Sequence, residues 1–156
     1  MKKIIKTIGT ILLLLIIITF FIFVASDGTE ENISYAATSG TSDLQLMARA
    51  INGEARGEPY EGQVAVGAVI LNRVKSSKFP NTIAGVIYQS GAFDAVSDGQ
   101  INLTPNSTAR KAAQDALNGW DPSGGCIYFY NPVTSTSKWI WSRPIVKKIG
   151  KHNFAK

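Results

Sequence analysis

Met47-Ala-Arg-Ala-Ile-Asn-Gly-Glu54-Ala-Arg-Gly-Glu58-Pro59-Tyr-Glu61-Gly-Gln-Val-Ala-Val-Gly-Ala-Val-Ile-Leu-Asn-Arg73 decides the fold and holds the first candidate for chemistry. Leu44, Met47, Ala48 and Ile51 recur at i, i+3, i+4 and i+7, the spacing of one apolar helix face. That run closes near Gly53–Ala55, and Arg56-Gly57-Glu58-Pro59 reads as a turn because proline cannot continue a helix. Glu61 to Arg73 is a second helix. Val64, Ala68 and Leu71, flanked by Val66, Val69 and Ile70, make it apolar nearly all round, so it belongs in the centre of a core. Gly62 and Gly67 in this helix allow close helix contact.

Upstream, Thr41 or Ser42 caps the first helix, which is expected to start near Asp43. Downstream, Asn81 or Thr82 caps a short helix through Ile83, Val86 and Ile87, and residues 90–103 read as irregular chain with short extended pieces. Pro105 and Asn106 or Ser107 start a helix carrying Ala109, Ala112, Ala113, Ala116 and Leu117, which Asn118-Gly119 ends. From Asp121 the pattern changes. Cys126–Tyr130 reads as a strand, Lys138–Trp141 as a second, and residues 145–154 as a third bent at Gly150. Helices first and a small antiparallel sheet last give an α+β class.

The first 25 residues are of another kind. Lys2, Lys3 and Lys6 precede a charge-free run over residues 7–25, almost wholly aliphatic or Phe from Ile11 to Val24. A basic head before such a run predicts export, with residues 1–25 as a signal peptide or a membrane anchor, and Ser34-Tyr35-Ala36-Ala37 as a possible cleavage site. Residues 26–42, rich in Ser, Thr, Gly, Asp, Glu and Asn, read as a flexible linker, and residues 43–156 as one catalytic-sized domain. From residue 38 onward 13 Lys or Arg stand against 8 Asp or Glu, a balance suited to an anionic polymer outside the cell. The charges are scattered and no base-reading motif is present, which argues against nucleic acid. One cysteine, Cys126, forms no internal disulfide, so stability must come from the core.

Glu54 leads the candidate catalytic residues. A carboxyl at the inner end of a helix can be packed against apolar neighbours and keep its proton, as a general acid must; a solvated helix-end glutamate is the alternative. Glu58 and Glu61 compete for the role, although Glu61 has a structural reason to stand in a first helical turn. Asp94 and Asp98 are the distant carboxylates suited to a second role, with turn formation as the alternative for Asp98 before Gly99. Tyr128, Phe129, Tyr130, Trp139 and Trp141 form an aromatic cluster in which alternation puts Tyr128 and Tyr130 on one strand face. Flat rings beside amides and hydroxyls (Asn131, Gln89, Ser97) suit sugars, whose faces are apolar and edges polar. Cys126 and His152 stand in the chain order of a papain-like peptidase, and a non-catalytic glycan-binding module would use the same aromatics. One histidine cannot supply a His-rich zinc site, and neither a phosphate loop nor a nucleotide fingerprint is present, so no metal or cofactor is expected.

Several blocks together carry a resemblance. They are Ala-Ile-Asn-Gly-Glu-Ala-Arg-Gly-Glu-Pro-Tyr-Glu-Gly-Gln-Val-Ala-Val-Gly-Ala-Val-Ile-Leu-Asn-Arg (50–73), Val-Ile-Tyr-Gln-Ser-Gly-Ala-Phe (86–93), Ser-Asp-Gly-Gln-Ile-Asn (97–102), Tyr-Phe-Tyr-Asn-Pro (128–132) and Ile-Gly-Lys-His-Asn-Phe (149–154). From about Leu44 to the C-terminus the chain resembles the SleB/CwlJ-type spore cortex-lytic enzymes and cell-wall hydrolases. The resemblance implies a lysozyme-like helical catalytic domain that cleaves peptidoglycan glycan strands as a lytic transglycosylase or glucosaminidase. It implies Glu54 as the catalytic glutamate and places Gln89, Phe93, Asp98, Tyr130 and Asn131 in family blocks as candidate substrate-binding residues, to which the aromatic cluster adds Tyr128 and Trp139. Members of this type can carry an N-terminal peptidoglycan-binding repeat domain. This sequence has an apolar segment and a linker in that place, so spore cortex and vegetative wall both stand as expected substrates. Partners expected are glycan strands and, through residues 7–25, the membrane; nothing in the residues names an accessory protein.

Overall fold

The computed structural model describes residues 29–156, and the compact unit that carries the site is Thr41–Lys156. The expected export segment lies outside the described residues. Among those described, no helix is long and apolar enough to cross a membrane.

Helix α1 spans Thr29–Ala55, so the expected start near Asp43 is corrected. No proline lies between Thr29 and Ala55 to stop the helix, and residues 29–42, which composition assigns to a linker, are helical. Helix α2 (Tyr60–Lys75) is buried on every side from Gly62 to Ile70, as its all-round apolar sequence predicts. The crossing is tight at Gly67. A Cβ there would lie 3.0 Å from both Ile51 of α1 and Ala116 of helix α5 (Ser107–Leu117), closer than neighbouring side chains normally pack. Between α2 and α5 stand α3 (Ile83–Ile87), α4 (Asp94–Ser97) and a 3₁₀ turn (Gln100–Asn102). Thr82 Oγ1 caps α3 by accepting from the Gly85 N–H at 3.0 Å, and Asn106 Oδ1 caps α5 by accepting from Ala109 at 2.7 Å. Residues 90–103 are thus two short helical turns rather than extended pieces. Each is too brief to show a helical period in sequence.

The sheet has order β1-β3-β2, all antiparallel, with β1 at Tyr128–Tyr130, β2 at Ile145–Ile149 and β3 at His152–Ala155. Two expectations are corrected here. Lys138–Trp141 is a helical turn, α6, not a strand. Over four residues a helical turn and a strand both set Ile140 apart from Trp139 and Trp141, so alternation cannot tell them apart. Residues 145–154 are two strands, not one. Gly150 at φ +57° reverses the chain where other residues would be strained. The last strand is the central one because all four of its residues are buried, whereas β2 carries Lys147 and Lys148 and takes the edge, where charge blocks further pairing.

The polar end of α2 fixes the sheet to the helices. Asn72 Nδ2 donates to the Cys126 carbonyl at 3.0 Å and to Asp121 Oδ2 at 2.9 Å, and Arg73 Nε donates to the Ile127 carbonyl at 2.8 Å. These bonds place β1 beside the C-terminal end of α2. Phe129 faces Phe154 across the β1–β3 pair, and the site forms where this sheet meets the helices.

Candidate active site

Glu54 lies in the last turn of α1 and its carboxyl lines a cleft of about 850 Å³. The Ala95 N–H, in the first turn of α4, donates to Glu54 Oε1 at 2.8 Å. Burial raises the carboxyl above its ordinary pKa of 4.5. The Ala95 bond opposes that, and the charges of Asp94 and Asp98 add to the rise. Contact between α1 and α4 depends on Gly53, since a Cβ at that position would collide with the Ala95 side chain.

The other two carboxylates of the opening stretch have structural partners. Glu58 also borders the cleft, but its Oε2 accepts from the Lys151 N–H at 2.8 Å and so holds the β2–β3 turn. Glu61 pairs with Lys147 at 3.0 Å on the surface and is not part of the cleft wall. Asp98 is exposed at the rim. Hydrogen bonds from the Gln100 N–H (3.0 Å) and Nε2 (2.5 Å) hold its carboxyl below the usual range.

The structure brings Gln89, Asp98, Tyr128, Tyr130, Asn131 and Trp139 into one cleft wall with Glu54. Trp139 remains 51% exposed, with its ring edge-to-face against Tyr128 at 5.0 Å and under Arg143 at 4.6 Å, a platform on which a sugar face can stack. Asn131 Oδ1 accepts from the Val133 N–H at 2.9 Å and so shapes the loop after β1. Phe93 is corrected. It is 4% exposed and absent from the cleft wall, because the extended backbone just before α4 turns its ring inward, 6.1 Å from Phe129 and 5.1 Å from the Arg73 guanidinium.

Two cleft residues, Arg73 and His152, have no role in the sugar-binding expectation. Arg73 stands at helical spacing from Val66, Val69 and Ile70, so a cation on a core face was the signal available in the sequence. His152 entered only with Cys126, and the structure does not support that peptidase pairing. Cys126 is 0% exposed and off the cleft, and burial pushes its thiol up rather than towards the thiolate. Burial likewise lowers His152, against the pull of Glu58, whereas a thiolate partner would be an imidazolium.

A sequence model of the family described as Cell Wall Hydrolase matches residues 57–155. The chain belongs to that family. The spore cortex-lytic enzyme of Bacillus cereus is 67% identical over 139 residues, covering 84% of this chain and 54% of the relative. The chain thus spans about half the length of that relative. Cell wall hydrolase CwlJ of Bacillus subtilis is 31% identical over 121 residues, covering 73% of this chain and 84% of that one. Among solved structures, the catalytic domain of the Bacillus cereus SleB protein superposes with a TM-score of 0.71 at 66% identity, covering 74% of this chain and 91% of that one. The catalytic domain of the germination-specific lytic transglycosylase SleB from Bacillus anthracis gives 0.71 at 67%, covering 73% and 93%. The helical unit with its three-stranded sheet is therefore the fold of a cell wall hydrolase catalytic domain, and the cleft at Glu54 lies within it. The matched family segment begins three residues after Glu54, so the candidate acid rests on its own geometry.

Proposed function

We propose that this chain cleaves the glycan strand of peptidoglycan between N-acetylmuramate and N-acetylglucosamine, as a lytic transglycosylase with Glu54 as its single acid and base. The observation that carries this reading is a half-buried carboxyl in the wall of an aromatic-lined cleft, held by the Ala95 N–H and raised above its ordinary pKa by partial burial. Such a group still holds a proton where an exposed glutamate has lost its own. Glu54 passes that proton to the bridging oxygen as the muramyl C1–O bond breaks. The muramyl C6 hydroxyl then bonds to C1 and returns its proton to the Glu54 carboxylate, closing a 1,6-anhydro ring. No water is consumed, and an intramolecular nucleophile gains from proximity. The names of the relatives favour spore cortex as the substrate. Residues 7–25 would export the domain to the outer face of the membrane or into the wall, as an anchor or a signal.

One observation favours a second reading. Asp98 stays ionised on the same cleft while Glu54 is raised, and two carboxyls pushed apart in pKa are the pattern of a hydrolase that uses acid and carboxylate together. Mass spectrometry of the released muropeptides separates the two. Anhydro-muramyl ends are expected; new reducing ends without them would assign hydrolysis. Digesting cortex and vegetative wall in parallel identifies the substrate. Trp139→Ala is expected to raise KM on soluble glycan about three- to tenfold through lost ring stacking, with little change in Tm because the ring is half exposed.

A further inference from the structure

His152, the single histidine of the chain, opens β3 in the cleft wall and is 7% exposed. Two rings fix its plane. Phe129 stands edge-on at 5.3 Å between centroids, and Phe154 does the same at 6.4 Å. Nδ1 is shut off from solvent and, among the described residues, meets no hydrogen-bond partner. Nε2 is not sealed in this way, so it is the nitrogen through which the ring can meet a ligand in the cleft. The charges that act on the imidazole are Glu58 and Lys151. Glu58 Oε2 accepts from the Lys151 N–H at 2.8 Å, and burial outweighs its pull on the imidazole, so the ring is neutral near pH 7.

A neutral imidazole carries one N–H, and the partners available decide which nitrogen holds it. A buried N–H without an acceptor forfeits its full hydration, and such orphans are rarer than orphaned lone pairs. The proton therefore belongs on Nε2. The wall thus offers one uncharged donor beside the apolar ring of Phe129, which lines the same cleft. That pairing matches an acetamido group, which joins a carbonyl acceptor to a methyl; a sugar hydroxyl would use the donor and leave the ring unmatched.

We propose that His152 and Phe129 form an acetamido subsite, in which the imidazole Nε2–H donates to the N-acetyl carbonyl of a glycan sugar and the phenyl ring packs against its methyl. The inference rests on the reading of the cleft as a peptidoglycan site and deepens it by naming the substrate group that the wall opposite α4 holds. Both N-acetylmuramate and N-acetylglucosamine carry that group, so the subsite anchors the strand beside Glu54 and does not tell the two sugars apart.

With a single histidine, isotope-labelled histidine in the full chain gives the signals of one imidazole, and Glu54→Gln keeps the ligand uncleaved. The probes are two soluble glycan oligomers of equal length prepared from peptidoglycan, one with its acetamido groups intact and one de-N-acetylated. Near neutral pH the free chain is expected to hold the imidazole proton on Nε2. Saturation with the intact oligomer is expected to shift the Nε2–H resonance and slow its exchange with water. His152→Phe keeps a flat ring in the stack and removes the donor. It is expected to weaken the intact oligomer about three- to tenfold, the scale of one neutral hydrogen bond, and to change the de-N-acetylated one by less than about twofold. Comparing both chains on each oligomer cancels the charge of the freed amines. A proton on Nδ1, an Nε2–H resonance unmoved while the intact oligomer is bound, or equal weakening of both oligomers would overturn the proposal and leave the glycan cleft standing. If His152→Phe does not fold, the resonance of the native ring decides alone. Binding of neither oligomer removes the glycan-cleft reading itself, and this inference with it.

Discussion

Glu54→Gln is expected to fold and to lower lysis of purified peptidoglycan by about a hundred- to ten-thousandfold, the range for loss of a general acid. Gln keeps an oxygen for the Ala95 N–H and fills the same space, so position is conserved and only the transferable proton is lost. Turbidity loss on isolated walls reads the effect, and substantial residual lysis would remove Glu54 from the role. Stability should move the other way. Burial raises Glu54 from 4.5, so the native state binds its proton more tightly than the unfolded chain does. The stability this confers is complete below about pH 4.5 and is lost as pH rises through the raised value. Once pH passes that raised value, the wild type holds a partly desolvated carboxylate that the Gln variant lacks. The variant should melt higher there, with the advantage vanishing on acidification. Wild-type activity should fall on its alkaline side as the same carboxyl ionises.

The second large effect is expected at a residue with no chemistry of its own. Gly53→Ala places a methyl where the Ala95 side chain already stands, with Gln100 Cβ 3.5 Å away on the other side. One of the two packed segments must yield, and α4, a single turn, is the easier to displace. Its movement takes the Ala95 N–H from Glu54 and releases the carboxyl from the pose in which it faces the cleft. Misplacement of a catalytic group by about 1 Å can cost about a hundredfold, so a tenfold to hundredfold drop in kcat is expected, with a modest fall in Tm. Because the collision is methyl against methyl, Gly53→Ala/Ala95→Gly should recover most of the lost activity; Gly still carries the N–H at position 95. Failure of the double variant to recover would show that Gly53 acts through helix backbone freedom and not through its contact with Ala95.

Glu54 was legible as a candidate because its position is local. It closes an apolar run just before a turn, and both features lie within a dozen residues. The central helix, expected over Glu61–Arg73 and observed over Tyr60–Lys75, and the order of helices before sheet were legible for the same reason, as were the two caps to within one residue, Thr82 from the pair Asn81 or Thr82 and Asn106 from the pair Asn106 or Ser107. The turns at Asp94–Ser97 and Lys138–Trp141 were not, being shorter than the period that would reveal them. Alternation likewise could not show that the last four residues before the terminus become the middle strand, because strand order depends on which partner buries them.

The sequence by itself determined the α+β class, the central helix, the candidate acid and the aromatic supply for a sugar site. Each follows from residues that are neighbours along the chain or one helical turn apart. Only the tertiary structure decided what those residues face. It brought the Ala95 N–H to Glu54 across 41 positions, turned Phe93 inward, took Cys126 out of contention and closed three rings around Arg73. Proton affinity and charge stabilisation are set by solvent exclusion and by partners distant in sequence, and neither exists until the core has closed.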